Sequence, residues 1–217
     1  MMKKVATILK DYSTEKIHMN GKVVNLFTHT ALEQVSDEML AMMYEIMPIE
    51  RQLKAKRYRN KIDKKLCIIS YALFVLAMQE TFDIYDSYEF TLNEHNKPFL
   101  KLFPEIHFNI SHCRAGVSCV IADETVGVDI QDIIKYNEKL AAAFCSPKEL
   151  KVFHNAIDKD LTLTKIWTMK ESYFKMLGTG LVEPLTALTA YEVGDFYQKI
   201  NLRENYVLTV AIKTIRG

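Results

Sequence analysis

Apolar and polar positions recur with two different periods along this chain, and each change of period marks a change of element. Residues 5–9 and 23–27 carry short β-prone runs that read as strands. Residues 37–46 and 49–59 show helical spacing, and a longer apolar helix is expected over 62–79. A strand at 88–92, a polar turn at 93–97 and a strand at 106–110 follow. Two more strands are expected at 116–122 and 126–130, with Asp123-Glu124 as the turn before the second. Ser146-Pro147-Lys148-Glu149 is a capping box with proline at the first helical position, so a helix starts there. A second long helix over 163–177 is stopped by Gly178-Thr179-Gly180, and β-rich runs at 185–192, 196–202 and 206–213 close the chain. No Pro/Gly/Ser-rich linker divides it. A faint internal echo joins Pro48, Ile62-Asp63-Lys64 and Ser70-Tyr71 to Pro147, Ile157-Asp158-Lys159 and Ser172-Tyr173.

The same periods place polar side chains in register. Side chains four apart share a helix face, so Trp167, Glu171 and Lys175 form one stripe, beside an apolar face of Ile166, Met169, Tyr173 and Leu177. A carboxylate and an ammonium in register suit a site that holds a metal, moves a proton and neutralises phosphate. Strand side chains alternate, so Val126, Val128 and Ile130 face a core while Gly127, Asp129 and Gln131 face the other way. Asp129 and Gln131 then stand roughly 6.5–7 Å apart, close enough to lean towards one hard cation.

Composition narrows the classes. The chain has 217 residues, 49% of them hydrophobic and 25% charged, with a formal net charge of +1, so it is an ordinary globular protein rather than a polyelectrolyte. The segment 51–65 is basic, but it holds only Tyr58 as an internal stacking aromatic, which argues against a nucleic-acid surface. Cys67, Cys113, Cys119 and Cys145 form no CxxC and no Cys/His ligand set, so neither zinc nor a disulfide framework is indicated. No signal peptide is expected, nor an apolar run of the roughly 18 residues that span a bilayer. A cytoplasmic protein with reduced thiols is the expectation.

Three segments in order carry more specific information: Phe108-Asn109-Ile110-Ser111-His112, then Gly127-Val128-Asp129-Ile130, then Trp167-Thr168-Met169-Lys170-Glu171-Ser172 continuing through Lys175 and Gly178 to Leu181. In that order and spacing they resemble the 4′-phosphopantetheinyl transferase superfamily, of the surfactin-synthetase-activating (Sfp) type. The resemblance extends through Asn96-Lys97-Pro98-Phe99 and the region 48–76. It implies an α+β fold of two similar α/β halves, a pseudo-dimer. Each half is a small, mostly antiparallel sheet packed on helices, with the active site between them. Residues 1–108 would be the N-terminal half, with the contacts to the 3′-phosphate of coenzyme A. Residues 109–217 would be the C-terminal half, with the metal and catalytic motifs.

The resemblance also implies a reaction. A serine of an apo acyl or peptidyl carrier protein attacks the β-phosphate of coenzyme A, phosphopantetheine is transferred and 3′,5′-ADP leaves. Mg²⁺ is required, with Mn²⁺ able to substitute. Asp129, Gln131 and Glu171 match the metal positions; Glu171 is the general base, directly or through a water, and Lys175 stabilises charge. Ser111, His112, Lys97, Lys170 and Lys175 match coenzyme-contacting positions, and Lys54, Lys64 and Lys65 lie in the basic region that grips the 3′-phosphate. Arg51 and Lys54 fall at or near the family's lysines. Two positions depart from the pattern: Leu66 stands where the family has an arginine, and Gln131 where many relatives have glutamate. The partners implied are coenzyme A and carrier proteins, with neither nucleic acid nor membrane, and a monomer is expected. The competing reading is a non-catalytic relative that binds coenzyme A or a carrier without turnover.

Overall fold

The computed structural model describes residues 5–85, 87–180 and 184–213. Leu181, the last position of the third motif, lies outside them. The chain opens with a short helix, α1 (Val5–Ile8), not the expected strand. Val5, Ile8 and Leu9 are buried in the largest core cluster, and a helical turn offers them to it from one side. Strands β1 (Tyr12–Met19) and β2 (Lys22–His29) form a hairpin through Asn20-Gly21, both at positive φ (51° and 73°). Asn-Gly matches the right-handed strand twist in such a two-residue turn. Helices α2 (Asp37–Glu45), α3 (Ile49–Arg57) and α4 (Lys61–Phe82) follow. Pro48 sits at the N-cap of α3, and the Asn60 side chain caps α4 by accepting from the Ile62 amide.

Helix α4 is the hub of the first core. Its residues from Leu66 to Gln79 are all buried. By length and composition it could cross a membrane, a pattern that corrects the expectation of no such run. Here 78% of its apolar window is buried inside the protein, as in a core helix.

Strands β3 (Phe90–Leu92) and β4 (Pro98–Leu100) pair as a separate two-stranded hairpin. β5 (His107–His112) and β6 (Val117–Ala122) pair antiparallel and complete a four-stranded sheet in the order β1-β2-β6-β5. Both strands therefore share a sheet with β1 and β2, and the second sheet begins at residue 126. The second sheet has the order β7-β9-β8 and is also antiparallel, from β7 (Val126–Asp132), β8 (Asp195–Asn201) and β9 (Tyr206–Ile212). Between β7 and β8 run α5 (Glu138–Phe144), α6 (Pro147–Val152), the long α7 (Lys159–Leu177) and α8 (Ala190–Val193). The expected capping box at Ser146 is present in full. The run 185–192, expected as β, is instead a 3₁₀ turn (Leu185–Ala187) followed by α8.

Alternation along the strands makes the layers. Val117, Cys119 and Ile121 of β6 face the α4 core, whereas Val120 and Ala122 face a second core shared with Val126, Val128, Ile130, Leu208, Val210 and Ile212. The order through the molecule is α4, first sheet, second sheet, α7. The described chain is thus α+β with small antiparallel sheets, each carrying one long helix.

Candidate active site

Two strands from different sheets meet at the site without a backbone ladder. Asn109 on β5 accepts a hydrogen bond from the Val128 amide on β7 (3.0 Å), and Ser111 Oγ accepts from the Ile130 amide (3.3 Å). These side chains take the place of ladder carbonyls, and they hold β5 and β7 edge to edge. Ser111 Oγ also donates to Asp129 Oδ1 at 2.9 Å. Val126, Val128 and Ile130 join the second core as inferred, while Gly127 and Asp129, on the other face, are buried too.

The helix α7 presses on the opposite side of β7. A Cβ at Gly127 would stand 2.1 Å from the Ser172 carbonyl oxygen and 2.4 Å from the Met176 amide nitrogen. Only glycine lets the helix backbone approach that closely. The approach brings Lys175 across to Asp129: its Nζ donates to Asp129 Oδ1 at 2.6 Å and to Ser111 Oγ at 3.1 Å. Asp129 is buried and its Oδ2 has no hydrogen-bond partner. Glu171, one turn before Lys175, has its pKa raised by burial. Lys175 opposes that shift and Asp129 adds to it. A carboxylate whose pKa is raised holds a proton more readily than an exposed glutamate, which suits a general base.

His112 ends β5 at the rim. Partial burial, then the ammoniums of Lys175 and Lys54, hold its pKa below the ordinary imidazole range, with Asp63 acting the other way. Two clefts open beside it. One, of about 210 Å³, is lined by Arg51, Lys54 and Asn109 among others. The other, of about 290 Å³, is lined by Asp63, Leu66, Gln131 and Asp132 among others. Asp132 is occupied in ending β7, where it accepts from the amides of Arg114 and Ala115.

Some expected residues lie elsewhere. Lys170 is fully buried on another face of α7. It pairs with Glu149 at 2.7 Å and donates to the carbonyls of Phe144, Leu185 and Leu188. These bonds absorb its donors and leave no open side for a phosphate. Lys64 and Lys65 line a different pocket, between α2 and α4, and Lys65 Nζ donates to the Val35 carbonyl. The helical period sends them round α4, away from the face that carries Leu66 and Ser70. Trp167 shares the stripe of Glu171 but packs edge-on against Phe144, 4.9 Å between centroids, as a core residue. The buried apolar residues of α7 are Leu163, Ile166, Met169, Phe174 and Met176; Leu177, expected among them, is 44% exposed. Lys97 Nζ donates to the Met176 carbonyl at 2.7 Å, and burial pushes its pKa down to about 8. Beside it Asn93 Nδ2 donates to the Gly178 carbonyl, so the β3–β4 turn caps the end of α7.

The motifs thus converge from both sheets on one seam. The family model described as the 4′-phosphopantetheinyl transferase superfamily matches residues 125–210, which hold β7, α7 and most of β9. The chain is 29% identical over 190 residues to the 4′-phosphopantetheinyl transferase Sfp of Bacillus subtilis (strain 168), covering 85% of this chain and 83% of that one. It is 27% identical over 168 residues to another 4′-phosphopantetheinyl transferase of Bacillus subtilis, covering 76% and 75%. A third relative, the 4′-phosphopantetheinyl transferase gsp of Aneurinibacillus migulanus, is 32% identical over 146 residues, covering 64% and 59%. The chain is similar over most of its length to named 4′-phosphopantetheinyl transferases, and it is an enzyme of that kind.

Within this transferase the donor set can be tested for a metal. Asp129 offers a buried, unpartnered carboxylate oxygen, and its charge adds to burial in raising the Glu171 pKa. Among the described residues no group of three or more His, Cys, Asp and Glu is arranged to hold a metal. Two carboxylates fit Mg²⁺, which takes one or two from protein and the rest from phosphates and water, better than they fit zinc. Asn109 is the transferase residue that sequence reasoning missed. Its signal was its place in the strand, two before Ser111 and on the same face.

Proposed function

We propose that this protein transfers the 4′-phosphopantetheine group of coenzyme A to a serine of an apo acyl or peptidyl carrier protein, releasing 3′,5′-ADP, with Mg²⁺ required. The observation that carries the reading is Asp129: one oxygen is held by Lys175 and Ser111, the other is buried and unpartnered, and its charge is felt by Glu171. A divalent cation bound by Asp129 Oδ2 and Glu171, with Gln131 further along the same strand face, would neutralise charge on the pyrophosphate.

The residues of the chain supply the remainder. Glu171 accepts the proton of the carrier serine, directly or through one water, as the serine oxygen bonds to the β-phosphorus. The bond from that phosphorus to 3′,5′-ADP breaks, and the ADP oxygen keeps the electron pair. Lys175 offsets charge that gathers on the phosphates. Arg51, Lys54 and His112, at one cleft, receive the 3′-phosphate, and Lys97 lies by the hairpin that would border the coenzyme. Two similar halves related by a pseudo-twofold account for one long helix on each sheet. A monomer acting in the cytoplasm completes the reading.

The test is mass spectrometry of a panel of apo carrier proteins incubated with the protein and coenzyme A, with and without Mg²⁺. At least one carrier gains the phosphopantetheine mass, and only with the metal. No gain across fatty-acid, polyketide and peptide-synthetase carriers would remove the catalytic reading.

A further inference from the structure

The cleft beside His112 contains polar groups that the transfer step leaves unused. Its lining includes Arg51 and Lys54 from α3, Ser70 and Tyr71 from α4, and Phe108 and His112 from β5. Tyr71 is 3% exposed and Ser70 8%, and neither hydroxyl has a hydrogen-bond partner. Buried hydroxyls are nearly always paired, so two adjacent ones in the lining of a single cleft call for a partner that the folded chain does not supply. The Tyr71 ring is held edge-on against Phe90 at 6.4 Å and tilted against Phe74 at 6.1 Å, so its hydroxyl is fixed in place. The Arg51 guanidinium lies over the same Phe90 ring, 4.8 Å from its centroid. Hydroxyls that can donate, an arginine and a lysine together suit a group made of acceptors and negative charge, as a phosphate monoester is. One turn before Ser70 on the same face stands Leu66, buried and without charge.

We infer that Ser70 and Tyr71 are specificity-determining residues that donate hydrogen bonds to the 3′-phosphate of coenzyme A, supported by the charges of Arg51 and Lys54. The inference rests on the coenzyme reading above. Hydroxyl donors then serve on the face where Leu66 offers none, and a substrate lacking the 3′-phosphate leaves both unpaired.

Calorimetric titration of the full chain with adenosine 3′,5′-bisphosphate and with adenosine 5′-monophosphate tests this. Tyr71→Phe and Ser70→Ala should each weaken the bisphosphate by about 10- to 100-fold, the usual worth of a hydrogen bond to a charged group, and leave the monophosphate unchanged. The KM for coenzyme A should rise while that for 3′-dephospho-coenzyme A does not. If Tyr71→Phe does not fold, Ser70→Ala carries the same comparison. Equal loss for both nucleotides, or no loss for either, overturns the assignment. A wild-type protein that binds neither nucleotide would instead overturn the coenzyme reading on which it rests.

Discussion

The ammonium of Lys175 lies 2.6 Å from Oδ1 of Asp129, while the second oxygen of that carboxylate is buried without a partner. One residue of α7 therefore neutralises half of a carboxylate on β7 and leaves the other half available. Lys175→Met should lower the rate of carrier modification by about 10²-fold or more, the cost of one electrostatic stabiliser. Glu171→Gln and Asp129→Asn should each abolish nearly all turnover. Initial rates by mass spectrometry, with circular dichroism as the control for folding, check all three. Wild-type rates in either carboxylate variant would place the chemistry elsewhere.

Gly127 sets the distance between the two halves of that ion pair. In Gly127→Ala the new methyl would meet helix backbone, which cannot rotate away. Overpacking of this kind costs about 1–3 kcal/mol or more. Urea unfolding should show that loss, and activity should fall further than stability, because α7 must retreat from Asp129. Unchanged stability would show that β7 and α7 are not locked as described.

Lys170 and Glu149 form an ion pair at 2.7 Å with both side chains fully buried. Glu149 also accepts from the amides of Ser146 and Ala190. Lys170→Met strands a buried carboxylate and should cost about 3–5 kcal/mol in chemical denaturation. Adding Glu149→Gln should recover much of it, since the amide oxygen still accepts from the backbone. A Lys170 variant of full stability that binds coenzyme A poorly would return this lysine to the coenzyme site.

His29 is 1% exposed, and its pKa lies below the ordinary 6.5 because of burial. Asp11 and Glu33 oppose the shift and Lys65 adds to it. The unfolded chain takes up a proton that the folded chain resists. This contribution to stability is therefore complete above about pH 6.5 and declines as the pH falls below it, at no more than ~1.4 kcal/mol per pH unit. Thermal melts from pH 7.5 to 5 should show the decline, and His29→Gln should flatten it. Parallel profiles would assign the acid lability to other groups.

The sequence was most legible where one period ran long. The cores of α4 and α7 and the strands around Asp129 were all indicated by spacing alone. β1 was missed because only Ile17 of its eight residues is buried. It is an edge strand ordered by its partner, and the Asn20-Gly21 turn was the overlooked sign. The run 185–192 looked like a strand by composition, but the carbonyls of Leu185 and Leu188 point at the Lys170 ammonium, a tertiary demand that local propensity does not contain. The motif spacing singled out Asp129, Glu171, Lys175 and His112, which the fold brings within electrostatic reach of one another. It could not separate Lys170 from Lys175, since partners far along the chain decide which lysine is free to act. Nor could it separate Lys54 from Lys64 and Lys65, which differ only in the side of α3 or α4 they occupy.

The seam at Asn109 and Ser111 has a kinetic meaning. Each sheet can complete its own ladder before the two meet, because side chains rather than carbonyls join β5 to β7. The join can therefore open while both sheets stay whole, in the manner of a clasp. The amide protons of Val128 and Ile130 are the natural reporters. They should exchange with solvent sooner than their ladder-bonded neighbours in the free protein, and later once a ligand spans both sides.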